Sequence, residues 1–206
     1  MTTACPFGYE LQRYWDKRFD YFSKFSSGIQ MDAEALHTVV PELIARQHAS
    51  LIPGDRILDA FAGVGGASIA FACEGKQIIA VEYNQQRLNM LIHNAKIYGV
   101  ASQITPLCAS IFDIIESLQF NSVYLDPPWG WPSRNKSHCY ALSDFPIDIR
   151  ALLSLCRSEC IPVFLRTPKH FSVPTNEGGW LFQHVHTDCF DKRVISLLFK
   201  VNTIVS

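Results

Sequence analysis

Short apolar runs alternate with amphipathic stretches through most of this chain. Residues 56–60 read as a short buried strand entered through Pro53, Gly54 and Asp55. A glycine-rich turn and a helix over 66–74 follow. Residues 77–81 form a second strand, and 84–98 a long helix stopped by Gly99. The same alternation continues with a strand at 104–108, a helix at 111–118, a strand at 122–125, a helix at 148–156 and a strand at 161–165. Strand and helix in strict alternation predict a parallel, doubly wound sheet. Two more strands, 180–186 and 194–201, close the chain around a short turn at 188–192. A hairpin there requires at least one strand to run against the others. The expected fold is therefore α/β: a doubly wound, seven-stranded, Rossmann-like sheet.

Residues 1–50 differ. They are aromatic and basic at first, with Arg13, Tyr14, Trp15, Lys17, Arg18, Phe19, Tyr21, Phe22, Lys24 and Phe25, and end in a helix with Pro41 in its first turn. The expected division is an N-terminal helical extension over 1–50 and a main domain over 51–206. No internal repeat or low-complexity tract is visible.

Composition narrows the class. Of 206 residues, 48% are hydrophobic and 18% charged, enough to bury a sizeable core, which excludes disorder as the general state. A formal net charge of −1 excludes a polycationic coat for nucleic acid, so any phosphate or RNA site must be local. Seven cysteines are scattered without a C-x-x-C pair. That argues against a disulfide framework or a cysteine zinc site and points to a reducing compartment. No apolar run is long enough for a membrane span and no secretory leader is visible, so no membrane association is expected. His184 and His186 alternate on a strand without a third ligand, so no metal is expected.

Ligands of doubly wound sheets bind beyond the carboxyl ends of the strands, and three chemical signals fall there. The first strand ends Asp59-Ala-Phe-Ala-Gly63-Val-Gly65-Gly66, and the second ends in Glu82, seventeen residues after Gly65. Glycines admit close backbone approach, and an acid at Glu82 suits the two hydroxyls of a ribose. Ser68 breaks the dinucleotide fingerprint, and Asp59 is ill placed for a pyrophosphate but well placed for an amino group. S-adenosylmethionine carries such a group and is the expected cofactor, leaving as S-adenosylhomocysteine. The fourth strand runs into Asp126-Pro127-Pro128-Trp129. Two prolines stiffen the backbone there. Asp126 and the Pro127 carbonyl are acceptors for the N–H of a nucleobase amine, and Trp129 offers a face for stacking.

With these motifs the chain resembles the class I S-adenosylmethionine-dependent methyltransferases that act on a nucleobase amine, and more narrowly the trimethylguanosine synthase family of RNA cap guanosine-N2 methyltransferases. The resemblance is carried by Tyr14-Trp15, the segment 21–25, Gly28-Ile29, Pro41-Glu42, the turn 59–66, the segment 93–99, and Pro127-Pro128-Trp129-Gly130 with Pro132. It implies methylation at N2 of the 7-methylguanosine cap of small RNAs, with the extension closing over the site. It implies cofactor contacts from Phe22, Asp59, Gly63, Gly65, Gly66, Glu82, Ser110 and Asp126. It also implies catalytic roles for Asp126, Pro127 and Trp129, and cap contacts from Trp129, Arg13, Trp131, Arg134 and Arg166. A cationic base over an indole gains from the π face. The implied setting is the nucleus, with the cytoplasm also open. The implied partner is capped RNA delivered by an RNA–protein particle to a monomeric enzyme. The chain departs from the family pattern at Ser110, where the family has Asp, at Asp126, where it has Ser, and at Trp131, where it has Gly. Trp131 is expected to crowd a once-methylated amine and limit the product to dimethylguanosine. Two alternatives stay open: an N2-guanine or N6-adenine methyltransferase on internal RNA or DNA positions, and a non-catalytic cap- or RNA-binding module.

Overall fold

The structure is a computed structural model that describes residues 3–129, 139–157, 161–174, 179–187 and 194–201. Seven strands form one sheet: β1 Arg56–Asp59, β2 Gln77–Glu82, β3 Ile104–Cys108, β4 Ser122–Leu125, β5 Val163–Pro168, β6 Trp180–Thr187 and β7 Val194–Val201. Their order across the sheet is β3-β2-β1-β4-β5-β7-β6. The first five pair in parallel, and β7 runs antiparallel to both β5 and β6. The doubly wound sheet with a reversed strand is as expected. The strand order turns around between β1 and β4, the crevice where such sheets bind ligands.

Eight α-helices accompany the sheet among the described residues: α1 Gln12–Trp15, α2 Arg18–Tyr21, α3 Ala35–Thr38, α4 Glu42–Leu51, α5 Gly66–Cys73, α6 Gln85–Tyr98, α7 Ile111–Ile114 and α8 Ile149–Arg157. Side chains alternate between the two faces of each strand, and the core divides accordingly. Ile57, Ile78, Ala80, Tyr124 and Phe164 join a cluster with α4, α5, α6 and residues of the extension. Leu58, Ile79, Val81, Val123, Leu125 and Leu165 join a second cluster with Ile111, Ile149, Leu152 and Leu153 from α7 and α8.

Local chemistry sets the element ends. Asn84 caps α6, its side chain accepting from the N–H groups of Gln86 and Arg87, and Gly99 ends the helix in the left-handed region at φ 79°. Pro41 stands at the cap of α4 rather than inside its first turn. The expected helix over 111–118 is a single α turn followed by a 3-10 turn at Ile115–Ser117. Strand five begins at Val163, two residues later than expected. Pro162 has no N–H, and only its carbonyl is used, accepting from Val123 N at 3.0 Å. The expected turn at 188–192 lies outside the described residues.

The extension runs back along α6. Lys24 Nζ reaches the Ile97 carbonyl, His93 Nε2 meets the Gly28 carbonyl at 3.0 Å, and Arg87 pairs with Asp32 at 2.7 Å and with Glu34. The chain thus travels from the far end of α6 to the end beside Glu82. Val39 and Val40 then lie against Gly66. Tyr21, Phe22, Ile29, Met31, Leu36 and Val40 are buried in the same cluster as the helices of that face. The extension is part of the hydrophobic core.

Candidate active site

Strand register lines up four side chains along the carboxyl edge of the sheet. Asp59 ends β1 opposite Ala80 and Tyr124, Glu82 ends β2 opposite Cys108, Asp126 follows Leu125, and Arg166 follows Leu165, the β5 partner of Leu125. Cys108 leads in two residues to Ser110, which precedes α7. The order from one edge inward is Ser110, Glu82, Asp59, Asp126, Arg166.

Asp59 is 1% exposed. Its Oδ2 accepts from Ser68 Oγ at 2.6 Å, while Oδ1 is buried without a hydrogen-bond partner. Burial pushes its pKa up to about 7, the Ser68 hydroxyl and the Phe61 backbone N–H opposing and the charges of Asp126 and Glu82 adding to the rise. A buried carboxylate oxygen without a partner can accept from a cationic N–H donor.

Glu82 is fixed by backbone on both sides. Oε2 accepts from Gly63 N at 3.0 Å and Oε1 from Asn84 N at 2.8 Å. Its pKa is also raised, chiefly by burial. Each oxygen keeps a further lone pair, so a diol has two acceptors in fixed positions.

The turn between these acids is shaped for contact. Gly63 has φ +52°, and a Cβ there would meet nothing within 4 Å, so the backbone faces open space. Gly65 closes the turn, donating to the Ala62 carbonyl at 2.9 Å, and caps α5. At Gly66 a Cβ would lie 2.4 Å from Val39 Cγ2, so the absent side chain is what lets the extension close on the turn. Asn94, fully buried, ties these parts together. Its Oδ1 accepts from Gln30 N at 2.8 Å, and its Nδ2 donates to the Gln30 and Val64 carbonyls at 2.8 and 3.0 Å.

On the other side of Asp59 stands the proline segment. Pro127 is buried and Trp129 half-buried, its ring packed on the second core cluster. Tyr140 donates its hydroxyl to the Trp129 carbonyl, holding the chain where it leaves the site. Asp126 pairs with Arg166 Nη1 at 2.8 Å, and the guanidinium lies 4.6 Å from the centroid of the Trp129 ring. Burial raises the pKa of Asp126, and the charge and hydrogen bond of Arg166 offset only part of that rise.

The structure therefore brings together Asp59, Gly63, Gly65, Gly66, Glu82, Ser110, Asp126, Pro127, Trp129 and Arg166 on one edge. Phe22 is buried in the core instead of lining the edge: its ring is 1% exposed and packs 6.3 Å from that of Tyr98 at the end of α6. Arg13 is exposed on α1 and rests on Tyr14, whose ring is 5.9 Å from His37 of α3. Trp131 and Arg134 lie outside the described residues, as do Gly130 and Pro132. Among the described residues no group of three or more His, Cys, Asp or Glu side chains is arranged to hold a metal, and no helix is long and apolar enough to cross a membrane.

Sequence reasoning missed three contributors. Ser68 looks like a fault in a dinucleotide fingerprint, yet it is the hydroxyl that orients Asp59. Asn94 sits in a resembling segment without a role. Ser196, which accepts from Arg166 Nε at 3.1 Å, gave no signal, because only the antiparallel β5–β7 pairing brings it near.

Comparison with known proteins identifies the family and the fold. A family model described as RNA cap guanine-N2 methyltransferase matches residues 54–174. The trimethylguanosine synthase of Schizosaccharomyces pombe is 35% identical over 144 residues, covering 65% of this chain and 60% of that protein. That of Saccharomyces cerevisiae is 31% identical over 157 residues, covering 70% and 50%. The chain thus spans about half to three-fifths of the length of these curated relatives. Among solved structures, a Porphyromonas gingivalis protein assigned as a methyltransferase superposes with a TM-score of 0.71 at 15% identity, covering 97% of this chain and 52% of that one. A SAM-dependent O-methyltransferase of Thermotoga maritima gives 0.56 at 12% identity, covering 89% and 71%. At those identities the likeness is one of fold. The family match runs from the entry to β1 through the glycine turn and the Asp-Pro-Pro-Trp segment, and by it this chain belongs to the RNA cap guanine-N2 methyltransferase family.

Proposed function

We propose that the protein transfers a methyl group from S-adenosylmethionine to the N2 amine of a 7-methylguanosine RNA cap. The observation that carries the reading is the unpartnered Oδ1 of Asp59, set between Glu82 and the Asp126–Trp129 segment.

The residues fit the cofactor. Asp59 would take its amino group, the open backbone at Gly63 would lie against it, Glu82 would take the ribose hydroxyls and Ser110 would flank the adenine. Bound S-adenosylmethionine supplies an electrophilic methyl on a sulfonium and leaves as S-adenosylhomocysteine. Asp126 and the Pro127 carbonyl accept N–H hydrogen bonds from the attacking amine, which localises its lone pair on nitrogen. As nitrogen gains the methyl it must lose a proton, and the Asp126 carboxylate stands ready to accept it. Trp129 stacks on the base. Most of the rate enhancement is assigned to this orientation. Arg13 on the extension is a described cation open to the cap phosphates; Arg166, buried and paired with Asp126, serves the cap through Trp129 rather than through its own charge, and Trp131 and Arg134 are proposed to complete the cap contacts. The extension, 1–50, serves as a fixed cover, with Phe22 as an anchor. Capped small RNA brought by an RNA–protein particle, a monomeric enzyme and a nuclear setting complete the reading.

Methyl transfer from labelled cofactor tests it. Label is expected on 7-methyl-GDP and not on GDP. Label on uncapped RNA or DNA with none on 7-methyl-GDP would transfer the reading to internal guanine or adenine. Cap binding without any transfer would make the chain a binding module.

A further inference from the structure

Asp126 does not stand alone at the site. Its carboxylate is 14% exposed, and the Arg166 side chain that pairs with it is only 4% exposed. Arg166 is engaged on three sides. Nη1 donates to Asp126 Oδ2 at 2.8 Å, Nε donates to the buried Ser196 Oγ at 3.1 Å, and its carbon lies 4.6 Å from the centroid of the Trp129 ring. A planar cation with donors on two edges meets all three demands at once, whereas an ammonium satisfies one. The residues come from two strands, β5 and β7, and the loop after β4, and the β5–β7 register places Ser196 two residues from the partner of Arg166.

Two other titratable groups face the same carboxylate. Its charge acts on Asp59 of β1 and on the Tyr124 hydroxyl of β4, itself paired with His48 at 3.0 Å. Arg166 is the cation paired with it among the described residues. Without that charge, burial favours the protonated acid. A protonated Asp126 has an O–H to donate at the place where the proposed chemistry needs an acceptor.

We infer that Arg166 is a positioning residue for methyl transfer: it holds Asp126 as an ionised acceptor and the Trp129 indole beside it in one rigid arrangement. This rests on the function proposed above. Arg166 acts through Asp126 and Trp129, and this role requires no contact with the reacting atoms.

The test compares the intact protein with Arg166→Met, Arg166→Lys, Asp126→Ser and the double variant Asp126→Ser/Arg166→Met. Carbon-13 NMR follows the Asp126 carboxyl through a pH titration, and methyl transfer to 7-methyl-GDP is measured in parallel. Transfer by the unchanged protein checks the function itself, and its absence would sink that reading while leaving the titration to decide the pairing. In Arg166→Met the carboxyl midpoint is expected to rise by at least one pH unit, and the acid limb of kcat/KM to rise with it. At pH 7 the rate is expected to fall at least tenfold and to recover in part at pH 9. Arg166→Lys restores the midpoint but not the full kcat, because an ammonium cannot also brace the indole. The double variant is expected to be no slower than the slower single variant. An unmoved midpoint, or rate losses that multiply in the double variant, would overturn the proposal and leave Arg166 as a packing residue. Should Arg166→Met fail to fold, the lysine variant decides alone through its split between midpoint and kcat: the two moving together, or neither moving, would contradict the inference.

Discussion

Asp59 ends β1 with Oδ1 buried and without a hydrogen-bond partner, and its pKa lies at about 7 against an ordinary 3.8. The sign of the linkage follows. Between those two values the folded state keeps a proton that the unfolded chain has lost, so stability falls as pH rises through the window. The penalty is complete above about pH 7 and absent below about pH 4. Asp59→Asn is therefore expected to raise the Tm of the cofactor-free protein at pH 8 and to leave it nearly unchanged at pH 4, which thermal melts at the two pH values will check. The same variant is expected to weaken cofactor binding about 10- to 100-fold in calorimetry, as loss of a charged hydrogen bond worth ~1.5–3 kcal/mol requires. Wild-type affinity should fall as pH drops below 7, because the ionised carboxylate is the form that holds an amino group. Across the site, Trp129→Ala removes a stacking surface worth about 1–3 kcal/mol, so the KM for 7-methyl-GDP should rise roughly 10- to 100-fold with cofactor affinity unchanged. These two residues were legible in the sequence from their places at strand ends. Ser68 and Ser196 were not, because a serine carries no periodic signal and acquires meaning only from the neighbour the fold supplies.

At the scale of elements, α6 and the glycine turn depend on one amide. Asn94 makes three hydrogen bonds from a fully buried position, two to Gln30 and one to the Val64 carbonyl. Asn94→Leu strands these backbone groups without partners, at about 1–3 kcal/mol for each group left unsatisfied. The expected result is a drop of several kcal/mol in urea denaturation and a matching loosening of the 28–34 segment in hydrogen exchange. Gly66→Ala tests the neighbouring contact, since its methyl would meet Val39 Cγ2 at 2.4 Å on a short, stiff side chain. A loss of about 1–3 kcal/mol with faster exchange of 35–40 is expected. The seven strands were legible because apolar runs bounded by turn residues survive any packing detail. The short helices of the extension were legible only as an aromatic, basic stretch. Single turns such as α1, α2 and α3 have too little periodicity to read, and tertiary packing, with Arg18 lying over the rings of Trp15, Phe19 and Phe25, decides them.

For the whole molecule the extension and the sheet share one core. Tyr21, Phe22, Ile29, Met31, Leu36 and Val40 are all buried against the helices of the sheet's first face. At roughly 2 kcal/mol each, their burial rivals the ~5–15 kcal/mol that stabilises a whole domain. A protein lacking residues 1–40 is expected to lose cooperative thermal unfolding and to bind hydrophobic dye, rather than to persist as an open enzyme. The extension is thus built into the fold, and the net charge of −1 leaves any attraction of nucleic acid to local groups. The central claim is that this edge methylates the amine of a cationic guanine. Its most direct test is to incubate the protein with S-adenosylmethionine and RNA bearing a 7-methylguanosine cap, digest the RNA and locate the new methyl by mass spectrometry. The account predicts it on N2 of the cap base, with none on RNA capped by unmethylated guanosine. A methyl found on an internal base, or equal methylation of both caps, would contradict it.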